Sequence, residues 1–342
     1  MLRPNYRAVN CLLFCRSKIP LLIILFYLTV FFRCAPVFSQ ESFYQLSRRD
    51  FLFSCHFLDP KTGWIVGKKG LLLNSIDGGE NWVKVETRMN NALNDITFVG
   101  NDGWIVGQGG IILHTNDGGK TWEKQKSNCD ISLMQVSFPD KQRGVVIGQG
   151  GTILLTEDGG LVWNPIQLDW ATILPTSLID IGVIAPNLYD VFFVDNAQGW
   201  IVGDNGIVLY TSDGGKQWSL LRAGPFPALF AVFFKNNFEG WATGQNGVLL
   251  HTKNGGKTWE TMNVSTKASL FKIRLVGEYG VFVGNGGTVF QTSNGGVNWN
   301  PIKLEMALPY PWFGDLWIAC DNNSSCKIIL IGKSIIKKIS LK

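Results

Sequence analysis

The chain has 342 residues, of which 46% are hydrophobic and 17% charged, and it contains 39 glycines and 13 tryptophans. Its formal net charge is +5, but residues 1–39 contain five basic residues and no acidic residue. The remainder is therefore electrically neutral, which removes the electrostatic case for nucleic-acid binding.

The N-terminal 39 residues differ in composition from the rest of the chain. Four basic residues lie among the first 18, a twelve-residue apolar run follows at 21–32, and a small-residue cleavage site fits residues 37–39. This order is typical of a secretory signal peptide, and twelve apolar residues are few for a membrane span. We therefore predict a signal peptide over residues 1–39 and an exported protein; an uncleaved membrane anchor is the alternative.

An eight-residue phrase that ends in tryptophan recurs six times after this segment. It occupies residues 75–82, 115–122, 156–163, 211–218, 252–259 and 292–299. Its closing tryptophans are 40, 41, 55, 41 and 40 residues apart. A constant period near 40, with the same turn residues at the same phase, is typical of a propeller or another repeat array.

Each period contains four short apolar runs separated by Gly, Asn and Asp, which predicts four antiparallel strands. Radial repetition of such sheets leaves few open edges. We therefore predict an all-β, seven-bladed propeller of four-stranded antiparallel blades, in a single domain over residues 40–342. The predicted blades lie near 51–88, 92–127, 131–167, 187–222, 227–262, 268–303 and from about 312 onward.

The seventh period is incomplete, because the chain ends without the turn phrase and its tryptophan. We expect the segment before the first blade, around residues 43–46, to supply the missing fourth strand and to close the ring. Unchanged stability after deletion of residues 41–47 would contradict this expectation.

One position of the turn phrase carries Asp or Asn in all six copies. Its side-chain oxygen can accept backbone N–H groups across the turn while the following glycines adopt positive φ. A structural role is therefore predicted for Asp77, Asp117, Asp158, Asp213, Asn254 and Asn294.

Cysteine and histidine usage gives no sign of a metal centre. Cys320 and Cys326 flank a turn-like segment, and in an oxidising compartment they form either a disulfide or two independent thiols. No histidine or second cysteine pair lies at ligand spacing, so we predict no metal and no cofactor.

The turn phrase is the Asp-box of sialidase-like repeats, so an exported glycan-binding or glycan-cleaving protein is one candidate. Sialidases need an arginine cluster and a Tyr–Glu pair, and their arginine phrase does not occur in this chain. Clustering of Arg88, Arg222 or Arg274 around a Glu–Tyr pair at the channel would favour that candidate.

A second motif, Gly-Trp-x-Val-Gly-x-x-Gly, precedes the Asp-box, for example at 63–70, 103–110 and 199–206. This pairing resembles the photosystem II stability/assembly factor family of cyanobacteria and chloroplasts and its bacterial relatives, over residues 47–333. The resemblance implies a seven-bladed, non-enzymatic propeller in the thylakoid lumen or the periplasm. It further implies binding to a newly inserted reaction-centre subunit; an envelope propeller with a non-photosynthetic client is the alternative.

Apolar residues are frequent in the loops predicted on one face of the ring, including an insertion at 168–186 between blades three and four. Exposed apolar patches mark binding sites. We expect a monomer that contacts a membrane-protein subunit or its soluble tail through this face; the alternative is that the insertion packs on itself over the channel. The candidate contact residues are Trp170, Ile173, Leu174, Phe226, Tyr310 and Trp312.

Overall fold

The computed structural model describes residues 43–306, 311–321 and 325–341, which form seven antiparallel sheets. The predicted signal peptide (residues 1–39) lies outside the described residues. Strands are numbered β1 to β27 along the chain, with one sheet per blade. The first three blades comprise β1 (Leu52–Phe57), β2 (Gly63–Gly67), β3 (Leu72–Ser75), β4 (Val83–Lys84); β5 (Leu93–Val99), β6 (Asp102–Gly107), β7 (Ile111–Thr115), β8 (Glu123–Gln125); and β9 (Leu133–Ser137), β10 (Gly144–Gly148), β11 (Ile153–Thr156), β12 (Asn164–Pro165).

Two one-turn helices separate the third blade from the fourth, α1 (Trp170–Ile173) and α2 (Thr176–Ile179). Blades four to six repeat the four-stranded pattern, and blade seven has three strands. The remaining strands are β13 (Leu188–Phe193), β14 (Gly199–Gly203), β15 (Val208–Thr211), β16 (Ser219–Arg222); β17 (Leu229–Phe234), β18 (Gly240–Gly244), β19 (Leu249–Thr252), β20 (Glu260–Thr261); β21 (Leu270–Val276), β22 (Tyr279–Gly284), β23 (Val289–Thr292), β24 (Asn300–Pro301); and β25 (Phe313–Cys320), β26 (Cys326–Gly332), β27 (Ile335–Leu341).

The seven sheets form a closed ring around a central channel. The first strands of successive blades pack against one another, from β1 through β5, β9, β13, β17 and β21 to β25 and back to β1. Two adjoining cavities, of about 410 and 320 Å³, lie among these first strands. The predicted all-β, seven-bladed architecture is confirmed.

Among the described residues, the hydrophobic core separates into seven clusters, one at each junction between neighbouring blades. The second strand of a blade is covered on both faces, so β2 and β14 are buried along their whole length. A strand buried on both faces needs a continuous apolar run rather than alternation. This requirement explains the Gly-Trp-Ile-Val-Gly motif that both strands carry.

The tryptophan of this motif contacts the Asp-box of the next blade. Trp200 in blade four stacks on Phe234 in blade five with ring centroids 3.6 Å apart, and its Nε1 donates to the Gly255 carbonyl at 3.0 Å. Trp104 makes the same two contacts with blade three, at 3.5 Å and 3.0 Å. Each blade therefore needs both motifs, because its tryptophan contacts the Asp-box of the next blade and its own Asp-box contacts the tryptophan of the preceding one.

In each Asp-box turn the side-chain oxygen of the Asp or Asn residue accepts backbone N–H groups. Oδ1 of Asp77 accepts the backbone N–H groups of Glu80 and Asn81, and Ser75 Oγ accepts the N–H of Gly79. Partial burial of the Asp77 carboxyl opposes ionisation, but the hydrogen bonds outweigh it and lower its pKa to about 2. Gly78 and Gly79 have positive φ, at 76° and 79°, which a residue with a side chain rarely adopts.

Asp117→Ala is expected to lower the free energy of unfolding by about 1–2 kcal/mol, because two hydrogen bonds from Thr121 and one from Thr115 lose their acceptor. Asp117→Asn should cost much less, since Asn254 already serves as the acceptor in the fifth blade. Urea unfolding of the two variants measures the difference. Equal losses for Ala and Asn would contradict the role assigned to the acceptor oxygen.

The N-terminal segment joins the last blade, but not as the predicted fourth strand. Blade seven ends at β27, and residues 43–46 form no strand. Instead, Tyr44 N–H donates to the Trp82 carbonyl in blade one, Phe51 forms a single bridge with Lys333, and Ser334 N–H donates to the Asp50 carbonyl. The prediction of a fourth strand was wrong because the segment hydrogen-bonds to blade one at residue 44, and its backbone hydrogen bonds to blade seven are made at residues 50–51.

Cys320 and Cys326 face each other across the β25–β26 hairpin and are joined by a disulfide. The other described cysteines, Cys55 and Cys129, are free thiols. No helix in the described part of the chain has the length and apolarity needed to cross a membrane.

Candidate functional site at the channel mouth

The ring has two faces with different connections. On one face the tight hairpins between second and third strands bond to the loops that join the blades, as when Gly70 N–H donates to the Asn91 carbonyl. On the other, the Asp-box turns bond to the loops between first and second strands, as when Gly78 N–H donates to the Lys61 carbonyl. We name these the loop face and the Asp-box face.

The insertion at 168–186 lies on the loop face and is partly folded onto the protein. Leu174 and Leu178 are only 4% and 0% exposed and pack in the core between blades three and four. Leu174 is therefore a core residue and not a contact available to a partner. The outer part of the insertion presents Ile179, Ile181 and Ile184, which are 41%, 66% and 86% exposed.

The other candidate contact residues on the loop face occupy separate positions. Trp170 is half-buried against the hairpin glycine Gly151, and Ile173 beside it is half-buried. Phe226 is 44% exposed, and the Arg222 guanidinium lies 4.0 Å from its ring centroid. Tyr310 lies outside the described residues.

Trp312 lies at the mouth of the channel, within a continuous series of aromatic rings. Ring centroids are 5.3 Å apart between Tyr189 and Phe230, 5.6 Å between Phe230 and Phe271, and 6.1 Å between Phe271 and Trp312. Phe53 continues the series, parallel to Trp312 at 6.4 Å. These five residues from five consecutive blades, the aromatic arc, line the cavity of about 410 Å³.

The backbone explains why these rings face the channel. The first strand of every blade has a register shift at its second residue, which in four blades is Phe53, Tyr189, Phe230 or Phe271. A bulge re-aims a side chain relative to regular pleating. In blade seven the second residue is Gly314, and a Cβ there would meet the Trp312 ring at 2.3 Å, so the glycine leaves room for Trp312.

Buried polar side chains form the channel floor, one residue below the arc. Asp315 accepts the N–H of Cys55, Asp95 that of Val136, and Asp190 that of Val232, in each case from the next blade. Each accepted N–H belongs to the residue two places after a bulge. These hydrogen bonds join the first strands of neighbouring blades, including those of blades seven and one. The floor residues are Ser54, Asp95, Gln135, Asp190, Lys272 and Asp315.

The floor carries three carboxyl groups and one ammonium group. Lys272 Nζ donates to Asp190 at 3.4 Å, across the small Ala231 of the intervening blade. Burial raises the pKa of Asp95 to about 6, although Lys272 and hydrogen bonds from Ser54 and Val136 oppose the rise. Oδ1 of Asp315 has no hydrogen-bond partner among the described residues.

Below the floor the channel contains His56, Arg274 and Trp317. Burial and the positive charge of Arg274 lower the pKa of His56 to about 4, so the ring is neutral at pH 7. Arg222 lies instead on the loop face, and the described channel lining includes no glutamate. The three arginines that would favour a sialidase-like site therefore do not cluster there.

Apolar residues were expected in the loops of one face, but exposed apolar side chains occur on both faces. The Asp-box turns also expose large hydrophobic residues, because their tips project beyond the blades. These are Ile76 at 75%, Leu161 at 82%, Val162 at 51% and Val297 at 66%. They are spread over three blades, whereas the loop face combines clustered isoleucines with an aromatic-lined cavity.

Sequence reasoning missed four members of the aromatic arc and the whole channel floor. The usable signal was the position after the leucine that begins most first strands, which reads Phe53, Tyr189, Phe230 and Phe271 in four blades. The next position carries Asp95, Asp190 and Asp315 in three. Alignment of the seven periods would have brought both sets together.

The model of the family described as photosynthesis system II assembly factor YCF48 matches residues 37–132 and 175–303, about two thirds of the chain. The chain belongs to this family. The gap in the match, residues 133–174, takes in blade three and the first part of the insertion. No curated protein matches the chain.

Solved structures show the same fold. "YCF48 bound to D1 peptide" is 19% identical with a TM-score of 0.68, covering 88% of this chain and 97% of that one. "YCF48 from Cyanidioschyzon merolae" is 19% identical with a TM-score of 0.69, covering 87% and 98%. A GH74 xyloglucanase from Xanthomonas campestris is 10% identical with a TM-score of 0.67, covering 87% and 53%. At these identities the similarity concerns the fold alone.

Proposed function

We propose that this YCF48 family member is a non-enzymatic, exported assembly factor that binds a photosystem II reaction-centre subunit or its soluble tail. Membership of the assembly-factor family is the observation that carries the proposal. One similar structure holds a relative bound to a D1 peptide, which supports a reaction-centre segment as the partner. The signal-like N-terminus and the Cys320–Cys326 disulfide support the lumen or the periplasm as its compartment.

The loop face is the proposed docking surface. It combines the exposed isoleucines of the insertion, Phe226 and the aromatic arc, which includes Trp312. Aromatic anchors on a rigid ring bind partners at low entropic cost, and clustered exposed apolar residues are favourable at the centre of an interface. A non-catalytic role is supported by the floor carboxylates, whose oxygens hold backbone N–H groups of neighbouring blades.

The partner is identified by affinity capture of the tagged, exported protein from membranes of its source organism. Recovery of reaction-centre subunits is the expected result. Recovery of other envelope proteins without them would contradict the photosystem partner and favour a different client. Recovery of glycans would favour the alternative of an Asp-box glycan-binding protein.

A double variant tests the face. Ile181→Asp with Ile184→Asp is expected to reduce capture at least tenfold, because two charges would then be desolvated in the interface. Ile76→Asp with Leu161→Asp is the matched control, since these residues are equally exposed but lie on the Asp-box face. Capture that is lost in the control and retained in the loop-face variant would place the interface on the other side.

A further inference from the structure

We propose that the channel mouth is a binding site for an organic cation on an apolar stem, an alkylammonium or guanidinium group that enters between the rings of the aromatic arc and reaches Asp315. The site and its ligand class follow from the walls and floor of the cavity.

The first observation is an unpartnered buried carboxylate oxygen. Asp315 is only 5% exposed, it lines both adjoining cavities, and Oδ2 accepts the Cys55 N–H at 2.9 Å. Oδ1 has no partner among the described residues. A buried charged oxygen without a donor is costly, and a positively charged donor is the ligand group that offsets this cost most fully.

The second observation is the charge balance of the floor. Lys272 lies against Asp190, so its positive charge is already paired. Asp95 receives hydrogen bonds from Ser54 and from a backbone N–H, but faces no second cation at bonding distance. Arg274 lies below the floor and donates to the Ile273 carbonyl, and none of the described cations is within ion-pair distance of Asp95 or Asp315. That side of the floor therefore attracts a cation rather than an anion.

The third observation is the composition of the wall. Five aromatic rings, with Asn94 and Met134 on the remaining side, line a cavity of about 410 Å³ above the floor, a volume within the range of small-molecule sites. Aromatic faces attract cations, and ammonium groups are commonly held in cages of such rings. The same rings pack against the methylene stem of the ligand, which a bare metal ion lacks.

A metal ion is a poorer occupant of this site. Among the described residues, no group of three or more His, Cys, Asp or Glu side chains is arranged to hold one. The mouth is lined by the aromatic arc, and two of the floor side chains, Asp95 and Gln135, already accept backbone N–H groups. Ca²⁺ and Mg²⁺ need six or more oxygen ligands.

The test compares matched ligands by calorimetry and saturation-transfer NMR on the purified protein. The probes are N-acetyl-lysine N-methylamide, its uncharged norleucine analogue, and n-pentylamine. The lysine probe should bind at least tenfold more tightly than the norleucine probe, because norleucine has an apolar stem but no ammonium group to reach Asp315. If n-pentylamine binds and the lysine probe does not, the ligand is a free amine. If both bind, a lysine side chain of a peptide can also occupy the site.

Variants of the floor and the wall complete the test. Asp315→Asn should weaken lysine binding at least tenfold while the amide oxygen still accepts the Cys55 N–H. Gly314→Val should also weaken binding, because its side chain would displace the Trp312 ring from the wall. The exposed Asp59→Asn is the control. Equal affinity for the norleucine probe, or unchanged binding in both site variants, would overturn the proposal.

Discussion

Trp200→Ala should lower the free energy of unfolding by about 3–5 kcal/mol, as expected for truncation of a fully buried large aromatic residue. The indole stacks on Phe234 and donates to the Gly255 carbonyl, both in the next blade. Its removal leaves a cavity and an unpaired acceptor at the junction of blades four and five. Urea unfolding followed by fluorescence or circular dichroism measures the loss.

Two further variants separate the contributions of the indole. Trp200→Phe retains a ring over Phe234 but loses the N–H donor, so an intermediate loss is expected. Phe238→Ala removes an aromatic ring that is 67% exposed and should change stability by less than about 0.5 kcal/mol. Similar losses for Trp200→Ala and Phe238→Ala would show that the tryptophan does not tie the blades together.

Asp95→Asn and His56→Gln should change the pH dependence of stability in opposite directions between pH 4 and 6. The pKa of Asp95 is raised from 3.8 to about 6, so its contribution is largest in acid and is lost as the pH rises to 6. The pKa of His56 is lowered from 6.5 to about 4, so its contribution is present above pH 6.5 and is lost as the pH falls to 4. In the wild type the two trends largely cancel.

Each substitution should therefore expose the trend of the remaining group. From pH 4 to pH 6, relative to the wild type, Asp95→Asn should gain stability and His56→Gln should lose it. Each change should be on the order of 2–3 kcal/mol, from about 1.4 kcal/mol for each unit of pKa. Thermal and urea unfolding at several pH values provide the measurement.

The double variant and a surface variant are the controls for this experiment. Asp95→Asn combined with His56→Gln should restore a profile close to that of the wild type, because both opposing groups are then absent. Asp180→Asn removes an exposed carboxyl on the insertion and controls for the loss of one negative charge. Single-variant profiles parallel to the wild type would exclude the assigned titrations.

The repeat count and the turn chemistry were readable because both are local. The Asp-box residues bond within their own eight-residue phrase, so the acceptor role of Asp77 or Asn254 needs no tertiary information. The incomplete seventh period was readable for the same reason. The position of residues 43–46 could not be predicted, because the segment packs between blades one and seven and hydrogen-bonds to blade one.

The surface predictions were less complete, because burial depends on what covers a loop. Trp170 and Leu174 belong to an apolar insertion, but one is half-buried and the other is in the core. The exposed Ile181 and Ile184 of the same insertion were not singled out. Composition showed that the insertion is unusual, and packing selected which of its side chains face solvent.

The sequence by itself determined the family, the seven-bladed ring and the structural role of the Asp-box, because these depend on short phrases repeated at a constant period. Tertiary structure decided what the channel contains. A bulge in each first strand turns the floor residues and four rings of the aromatic arc inward, and ring closure brings Phe53 beside Trp312 and Asp315 beside Cys55. These partners are about 260 residues apart in the chain, so no local pattern links them.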